Sequence, residues 1–425
     1  MPKSFGLNTQ VTGGLNFFMG HDPIELTRRF GSPLYLYSEE ILRKNCRELK
    51  NMCEYKNFRV NFSVKANTSL ALMQIARQEG LYADAMSPGE ICAGLAAGYD
   101  ASQIFFIPNN VSDEEMRFAL ERGVLVSADS LSQLERLGRL NPGGDAAFRL
   151  NPGIGDGHDA RVITGGDDSK FGVTLEQIPR AKEIIRKYSL RIKGINQHIG
   201  SHFMDMTLYD KSVGIMLSVA RQFDGLDFID FGGGFGIPYR KQEGEPRLDL
   251  RKAGETLDKI MAGFASEYGK ELTFIVEPGR YVTAEAGILL GTVCAVKNNG
   301  DIRFVGTDIG MNVLMRPALY DSYHEIEVYS ENEPRGERKD ERETVSVVGN
   351  ICESTDFLAK DRLLPHIGEG DVLGVLDAGS YGYSMCSNYN MRLRPAEVLL
   401  RENGEAAVIR EREELEDLLR GQRMI

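Results

Sequence analysis

Between residues 58 and 276 the chain alternates short, β-rich apolar runs with amphipathic stretches of helical period, and this alternation restricts the fold more than any other feature. The runs lie at 58–64, 81–84, 103–107, 124–127, 146–150, 192–198, 228–231 and 273–276. Helical patterns fill the intervals at 69–79, 88–97, 113–121, 130–140, 175–188, 208–223 and 250–268. Several open on capping residues: Ser87 precedes Pro88, and Ser112 precedes an acidic turn. Strands separated by helices run parallel through right-handed crossovers. Eight such strands predict an α/β fold closed as a TIM-like (β/α)8 barrel, with an open doubly wound sheet as the structural rival.

After about residue 280 the texture changes. Runs at 288–296, 302–308, 325–329, 344–348, 372–376 and 397–400 read as strands with few helices between them, a predominantly β C-terminal domain. The segment 34–37 is also strand-like and precedes a helix at 39–53; pairing with the C-terminal strands would make that domain discontinuous. The expected division is 36–280 for the barrel, with 1–35 and 281–425 forming the β-rich domain. The charged run SENEPRGERKDERET at 330–344 reads as a solvated loop or hairpin.

Composition limits what the chain can do. Among 425 residues, acidic groups outnumber basic ones 62 to 50, for a net charge of −12. That balance argues against a nucleic-acid or membrane-surface partner, either of which needs a basic face. No apolar run approaches the ~20 residues that span a bilayer, and the first thirty residues lack the charged start and apolar core of a secretory signal. The cysteines (Cys46, Cys53, Cys92, Cys294, Cys352 and Cys386) are scattered and form no CxxC pair, which suggests reduced thiols and a cytoplasmic setting.

In a barrel, chemistry belongs at the C-terminal ends of the strands, and here those ends carry polar residues. Lys65 in SVKAN follows the first run, Asp84 ends the second and Arg149 lies near the end of the fifth. His198 ends the sixth, Gly232, Gly233 and Gly234 follow the seventh, and Glu277 follows the eighth. A partly desolvated lysine has a lowered pKa and a free amine for Schiff-base chemistry; the bland alternative is a surface lysine. His198 and His202 have a metal-ligand spacing if helical, but Gly200 and Ser201 between them argue for a turn, and no metal is expected. The His198 imidazole can instead stack on an aromatic cofactor, or simply be a satisfied core histidine. The GGGFG turn at 232–236 can cradle a phosphate with bare N–H groups, or serve only as a tight turn. In EPGR, a buried Glu277 can hold a pyridinium nitrogen protonated and Arg280 can bind a carboxylate in bidentate fashion, although Pro-Gly also marks an ordinary surface turn. Cys352, with Glu353, Ser354 and Asp356 beside it, suits proton transfer or nucleophilic work as well as core packing. Tyr381 in DAGSYGYS can offer its hydroxyl to a phosphate or pack in the β domain.

Taken together, SVKAN, QHIGSH, DFGGGFGIPY, EPGRYVTAEAG, MRPALY, CESTD and DAGSYGYSMCSNYNMRLRPAEV are far more specific than any one of them. In this order, from GSPLYLY at residue 31 to about residue 420, the chain resembles the fold type III pyridoxal-phosphate-dependent decarboxylases. The resemblance implies an alanine racemase-like architecture, a barrel followed by a β domain. It also implies pyridoxal 5'-phosphate as cofactor, held by Lys65. His198 would stack on the ring and Glu277 would bond its nitrogen. Asp84, Arg149, Ser201, Gly233, Gly234, Gly279, Arg280 and Tyr381 complete the expected cofactor site. Arg280, Arg316, Tyr320, Glu353, Ser354 and Tyr381 form the expected substrate clamp. Cys352 resembles the thiol that reaches a neighbouring subunit's site, which implies a homodimer with shared active sites.

The branch most similar acts on meso-2,6-diaminopimelate, releasing L-lysine and carbon dioxide, and two arginines suit a substrate with two carboxylates. The alternatives are a relative acting on D-ornithine, D-lysine or a basic L-amino acid, or a non-catalytic homologue that would be expected to lack Lys65 or Cys352. Three departures stand out: HIGSH where HIGSQ is usual, the acid-rich run RVITGGDDSK at 161–170, and DAGSY where DAGAY is common. None replaces a catalytic group. The glycines at 153, 155, 157, 165 and 166 suit a mobile lid.

Overall fold

The computed structural model describes residues 10–157, 164–166, 168–331 and 342–425. They form two compact units: one of the described residues within 43–237 and 247–282, the other of those within 10–42, 238–246 and 283–425. The acid-rich run falls partly outside the described residues, at 161–163 and 167, as do 158–163 of the lid segment and 332–341 of the charged loop.

The first unit is a closed parallel barrel. Its strands are Phe58–Ser63, Tyr82–Ala85, Ile104–Phe106, Leu125–Ala128, Asp145–Asn151, Arg191–Asn196, Phe228–Asp230 and Thr273–Val276. Each pairs in parallel with the next, and the last closes on the first through Phe274 opposite Phe58 and Val276 opposite Val60. The closure decides against the open-sheet rival. The helices begin where local chemistry dictates. Ser87, Ser112 and Ser130 each accept a hydrogen bond from a backbone N–H three residues on, at 3.2 Å. Asp249 caps Leu250–Tyr268 in the same way, accepting from the Lys252 N–H at 3.0 Å. Each such cap contributes ~0.5–2 kcal/mol. The interior is filled: Phe105 meets Phe228 edge-to-face with ring centroids 5.2 Å apart, in a cluster with Ile107, Ala147 and Ile275.

The second unit is mainly sheet. The strand Leu34–Ser38 lies between Gly287–Asn299, to which it is antiparallel, and Ala396–Leu400, to which it is parallel. The discontinuity suspected from 34–37 is therefore real. The other runs appear as Ile302–Thr307, Ile326–Tyr329, Arg342–Val348 and Val372–Val375. Two further strands, Phe357–Pro365 and Ala406–Arg410, carry too many charged or exposed positions to show an apolar run. Among the described residues, no helix is long and apolar enough to cross a membrane.

Gly194 sits where the sixth strand passes the Phe228 ring; a Cβ there would stand 2.1 Å from the ring carbons. Overpacking of this kind costs ~1–3 kcal/mol. A Gly194→Ala variant should therefore unfold at measurably lower urea concentration than wild type, and an unchanged midpoint would contradict a filled barrel interior.

Candidate active site

The polar residues at the barrel strand ends are brought together by short, tightly bonded turns. Lys65 lies in the single 3-10 turn Val64–Ala66 directly after the first strand. Asp84, 1% exposed at the end of the neighbouring strand, accepts from Ser63 Oγ at 3.0 Å and from the Val64 N–H at 3.1 Å. The carboxylate thus pins the turn that carries Lys65. Burial pushes the Asp84 carboxyl well above its usual range, Glu277 adds to the rise, and the Lys65 charge opposes it.

His198 lies two residues beyond the end of the sixth strand. Its Nδ1 accepts the Gly233 N–H at 3.2 Å, which leaves the ring proton of the neutral form on Nε2. Enclosure by neighbouring atoms, then the Lys65 and Arg149 charges, lower its pKa well below the ordinary value, so the ring stays neutral. Arg149 is buried; its Nη2 donates to the His198 carbonyl at 3.1 Å, Nη1 is 3.7 Å from Asp129 Oδ1, and its guanidinium lies 4.4 Å from the Phe171 ring centroid. His202 has a left-handed backbone, φ 72°, and its Nε2 meets the Ile237 carbonyl 2.8 Å away. Gly200 and Ser201 between them form, instead of the expected turn, a short strand parallel to Asp156–Gly157, so the two histidines do not share a helix.

Glu277 is buried against a second carboxyl that the sequence reading missed, Asp230. Asp230 Oδ1 accepts the Gly232 N–H at 2.9 Å, and the Glu277 N–H donates to the Gly232 carbonyl at 3.0 Å. Asp230 Oδ2 and Glu277 Oε1 are buried without a hydrogen-bond partner. Burial foremost, and their mutual repulsion, raise Glu277 well above the carboxylate range; burial lifts Asp230 to about 7. Asp230 ends an apolar strand just as Asp84 does, and that shared position was the available signal.

The glycine turn packs too closely for side chains. A Cβ on Gly233 would come within 2.0 Å of the Glu277 carbonyl oxygen, and one on Gly234, at φ 108°, within 2.2 Å of the Phe203 ring. A Cβ on Gly279 would meet that of Ala66 at 2.9 Å. Arg280, 5% exposed, donates from Nη2 to Ser201 Oγ at 2.9 Å. Lys65, Asp84, Arg149, His198, Ser201, Gly233, Gly234, Glu277, Gly279 and Arg280 all belong to this one unit.

The remaining candidates lie in the β unit. Arg316, 2% exposed, opens the short helix Arg316–Tyr320 and places Nη1 2.9 Å from His324 Nε2. Cys352 is exposed, and its N–H donates to Asn390 Oδ1 at 2.7 Å. The Glu353 carboxylate accepts from the Tyr389 hydroxyl, and Ser354 is exposed beside it. Asp356 is structural: its carboxylate accepts the Met311 and Ile351 N–H groups at 2.6 and 2.7 Å, bracing the loop that carries Cys352. Tyr381 has φ 58°, a left-handed backbone that is uncommon for an aromatic residue. Among the described residues no group of histidine, cysteine and carboxylate side chains could hold a metal.

A parallel barrel with a lysine, a neutral imidazole, a glycine turn and a buried carboxyl at its strand ends is the donor set a pyridine-aldehyde phosphate requires. Residues 39–284 match the family model described as "Pyridoxal-dependent decarboxylase, pyridoxal binding domain". The chain is 44% identical over 414 residues to the diaminopimelate decarboxylase of Methanothermobacter thermautotrophicus, covering 95% of this chain and 94% of that one. It is 35% identical over 432 residues to that of Escherichia coli K12, with 99% of each covered. The solved structure of diaminopimelate decarboxylase from Helicobacter pylori complexed with L-lysine superposes with a TM-score of 0.84 at 29% identity, over 93% of this chain and 98% of that one. The chain belongs to the pyridoxal-dependent decarboxylases and, within them, to the diaminopimelate decarboxylase family. Its cofactor is pyridoxal phosphate, and the glycine turn and the unpartnered Glu277 oxygen fit that group.

The raised Asp230 carboxyl has a consequence for folding. Unfolded, an aspartate releases its proton near ~3.9; folded, Asp230 keeps it to about 7. Between those values the native cofactor-free protein binds more protons than the unfolded chain, so this group's contribution to stability falls as pH rises. The Asp230→Asn apoprotein should gain on wild type from about pH 4 to about pH 7, on the order of 1 kcal/mol per pH unit. Denaturation midpoints of both proteins across that range check this, and a constant difference would contradict it.

Proposed function

We propose that this chain decarboxylates meso-2,6-diaminopimelate to L-lysine and carbon dioxide, the last step of lysine biosynthesis, as a cytoplasmic homodimer with shared active sites. The observation that carries the reading is the pairing, in one chain, of the Lys65 and Glu277 rim with two buried arginines, Arg280 and Arg316. Arginine forks suit a substrate that has a second carboxylate to recognise. A diamine-ended substrate would instead call for acidic groups.

Bound pyridoxal phosphate supplies an aldehyde for amines and an electron-accepting ring. The Lys65 amine would hold that aldehyde. Glu277 would hold a proton at the ring nitrogen, and neutral His198 would face the ring without adding charge. Backbone N–H groups of Gly234, Gly279 and Arg280, with the Ser201 and Tyr381 hydroxyls, would hold the phosphate, while the Gly233 N–H stays on His198 Nδ1. Asp84 keeps the Lys65 turn in place, and Arg149 fixes the backbone at His198. Arg280, Arg316 and Tyr320 grip the non-reacting carboxylate, while Glu353 and Ser354 recognise the amine centre beside it. Cys352, presented to a neighbouring subunit's site, or Lys65 returns a proton to the carbon that loses carbon dioxide. On this reading the barrel unit of 43–237 and 247–282 carries the cofactor, and the mainly β unit supplies substrate and interface residues.

Incubating the purified protein with pyridoxal phosphate and meso-diaminopimelate should give L-lysine and carbon dioxide in equal amounts. Absence of lysine from a protein that has bound its cofactor would overturn the substrate and direct the search to D- and L-diamino acids.

A further inference from the structure

The contact between Arg316 and His324 restricts the histidine to a single form. A guanidinium only donates hydrogen bonds and does not lose its proton. His324 Nε2, 2.9 Å from Arg316 Nη1, must therefore be the acceptor. The other ring nitrogen, Nδ1, stands 2.7 Å from the Leu376 carbonyl oxygen, which only accepts, so Nδ1 must carry the hydrogen. One species satisfies both contacts: the neutral imidazole protonated on Nδ1. The opposite tautomer would set N–H against N–H on one side and lone pair against lone pair on the other. The imidazolium would set a second positive charge and an N–H against the guanidinium.

The surroundings leave the ring little room to turn. His324 is 1% exposed, and Tyr239 meets it edge-to-face with centroids 5.6 Å apart while lying 5.0 Å from the Arg316 guanidinium carbon. Ser322 Oγ accepts from Arg316 Nη2 at 3.4 Å. The charged and titratable neighbours on the packed elements are Arg362, which donates to the His324 carbonyl at 3.2 Å, and Tyr323, sandwiched by Arg240 and Arg362. Glu325 accepts the Gln242 N–H at 3.4 Å, and Asp377, next to Leu376, is ion-paired with Lys241.

We propose that His324 is a positioning residue for Arg316: its neutral, Nδ1-protonated ring orients the guanidinium to receive the substrate's non-reacting carboxylate. The inference rests on the reading of Arg316 as part of the substrate clamp. It makes recognition of the dicarboxylate, rather than the bond-breaking step, depend on the acceptor at this position.

The test is holoenzyme kinetics with meso-diaminopimelate at neutral pH. In His324→Leu the acceptor is gone: KM should rise ~10- to 100-fold with kcat within ~3-fold and an unchanged cofactor absorption spectrum, the pattern of lost uniform binding. In His324→Gln the amide oxygen can accept from Arg316. Its KM should stay within ~3-fold of wild type. A wild-type KM in His324→Leu, or a KM in His324→Gln raised as far as in His324→Leu, would overturn the proposal. Should His324→Leu not fold, nitrogen NMR of the wild-type holoenzyme decides: with six histidines in the chain, the His324 signals follow from their loss in His324→Gln. Neutral Nδ1-protonated shifts support the proposal and an Nε2-protonated ring refutes it. An Arg316→Ala enzyme with wild-type KM would instead sink the clamp reading itself, and the functional half of the proposal with it, whatever form the ring takes.

Discussion

Burial of charge at one end of the barrel is the constraint on which the rest depends. Asp84, Arg149, Asp230 and Glu277 are all at most 5% exposed, in a region where an unpaired charge costs several kcal/mol. The chain meets that cost in three ways. Asp84 takes two hydrogen bonds from the Lys65 turn, burial pushes the Asp230 and Glu277 carboxyls toward their neutral forms, and burial with the Lys65 and Arg149 charges keeps His198 uncharged. A cluster so expensive to fold makes sense where a charged, ring-bearing ligand completes it. On the proposed reading, pyridoxal phosphate would bring what is missing: a ring nitrogen for the Glu277 carboxyl and a phosphate for the glycine turn.

The same logic organises the β unit. Its buried charges are also paired or held: Lys241 sits between Asp377 and Glu285, and Glu397 accepts from Tyr37 and Arg410. Arg316 is held by an uncharged histidine on one of its nitrogens. A carboxylate at that nitrogen would compete with a carboxylate ligand; a neutral acceptor orients the fork and leaves its charge in place.

Much of this was legible in the sequence, for identifiable reasons. Parallel barrel strands are buried on both faces and read as continuous apolar runs, so each of the eight showed. Polar residues ending those runs, Lys65, Asp84 and Glu277, stood out by contrast. Asp230 obeys the same rule but was overshadowed by the glycines that follow it. Phe357–Pro365 was missed because Lys360, Asp361 and Arg362 interrupt its apolar pattern where the pairing shifts register, with Asp361 at φ 46°. His324 had no spacing signal. It reaches Arg316 because the chain reverses at Asp321, φ 54°, a backbone angle the sequence does not announce.

The central claim is that the barrel rim holds pyridoxal phosphate through Lys65. Borohydride reduction of the holoenzyme fixes the cofactor to whichever amine carries it, and peptide mass analysis then locates the label. The account predicts one phosphopyridoxyl group per chain, on the peptide containing Lys65. Label on another lysine, or none on a protein that has visibly bound the cofactor, would contradict it.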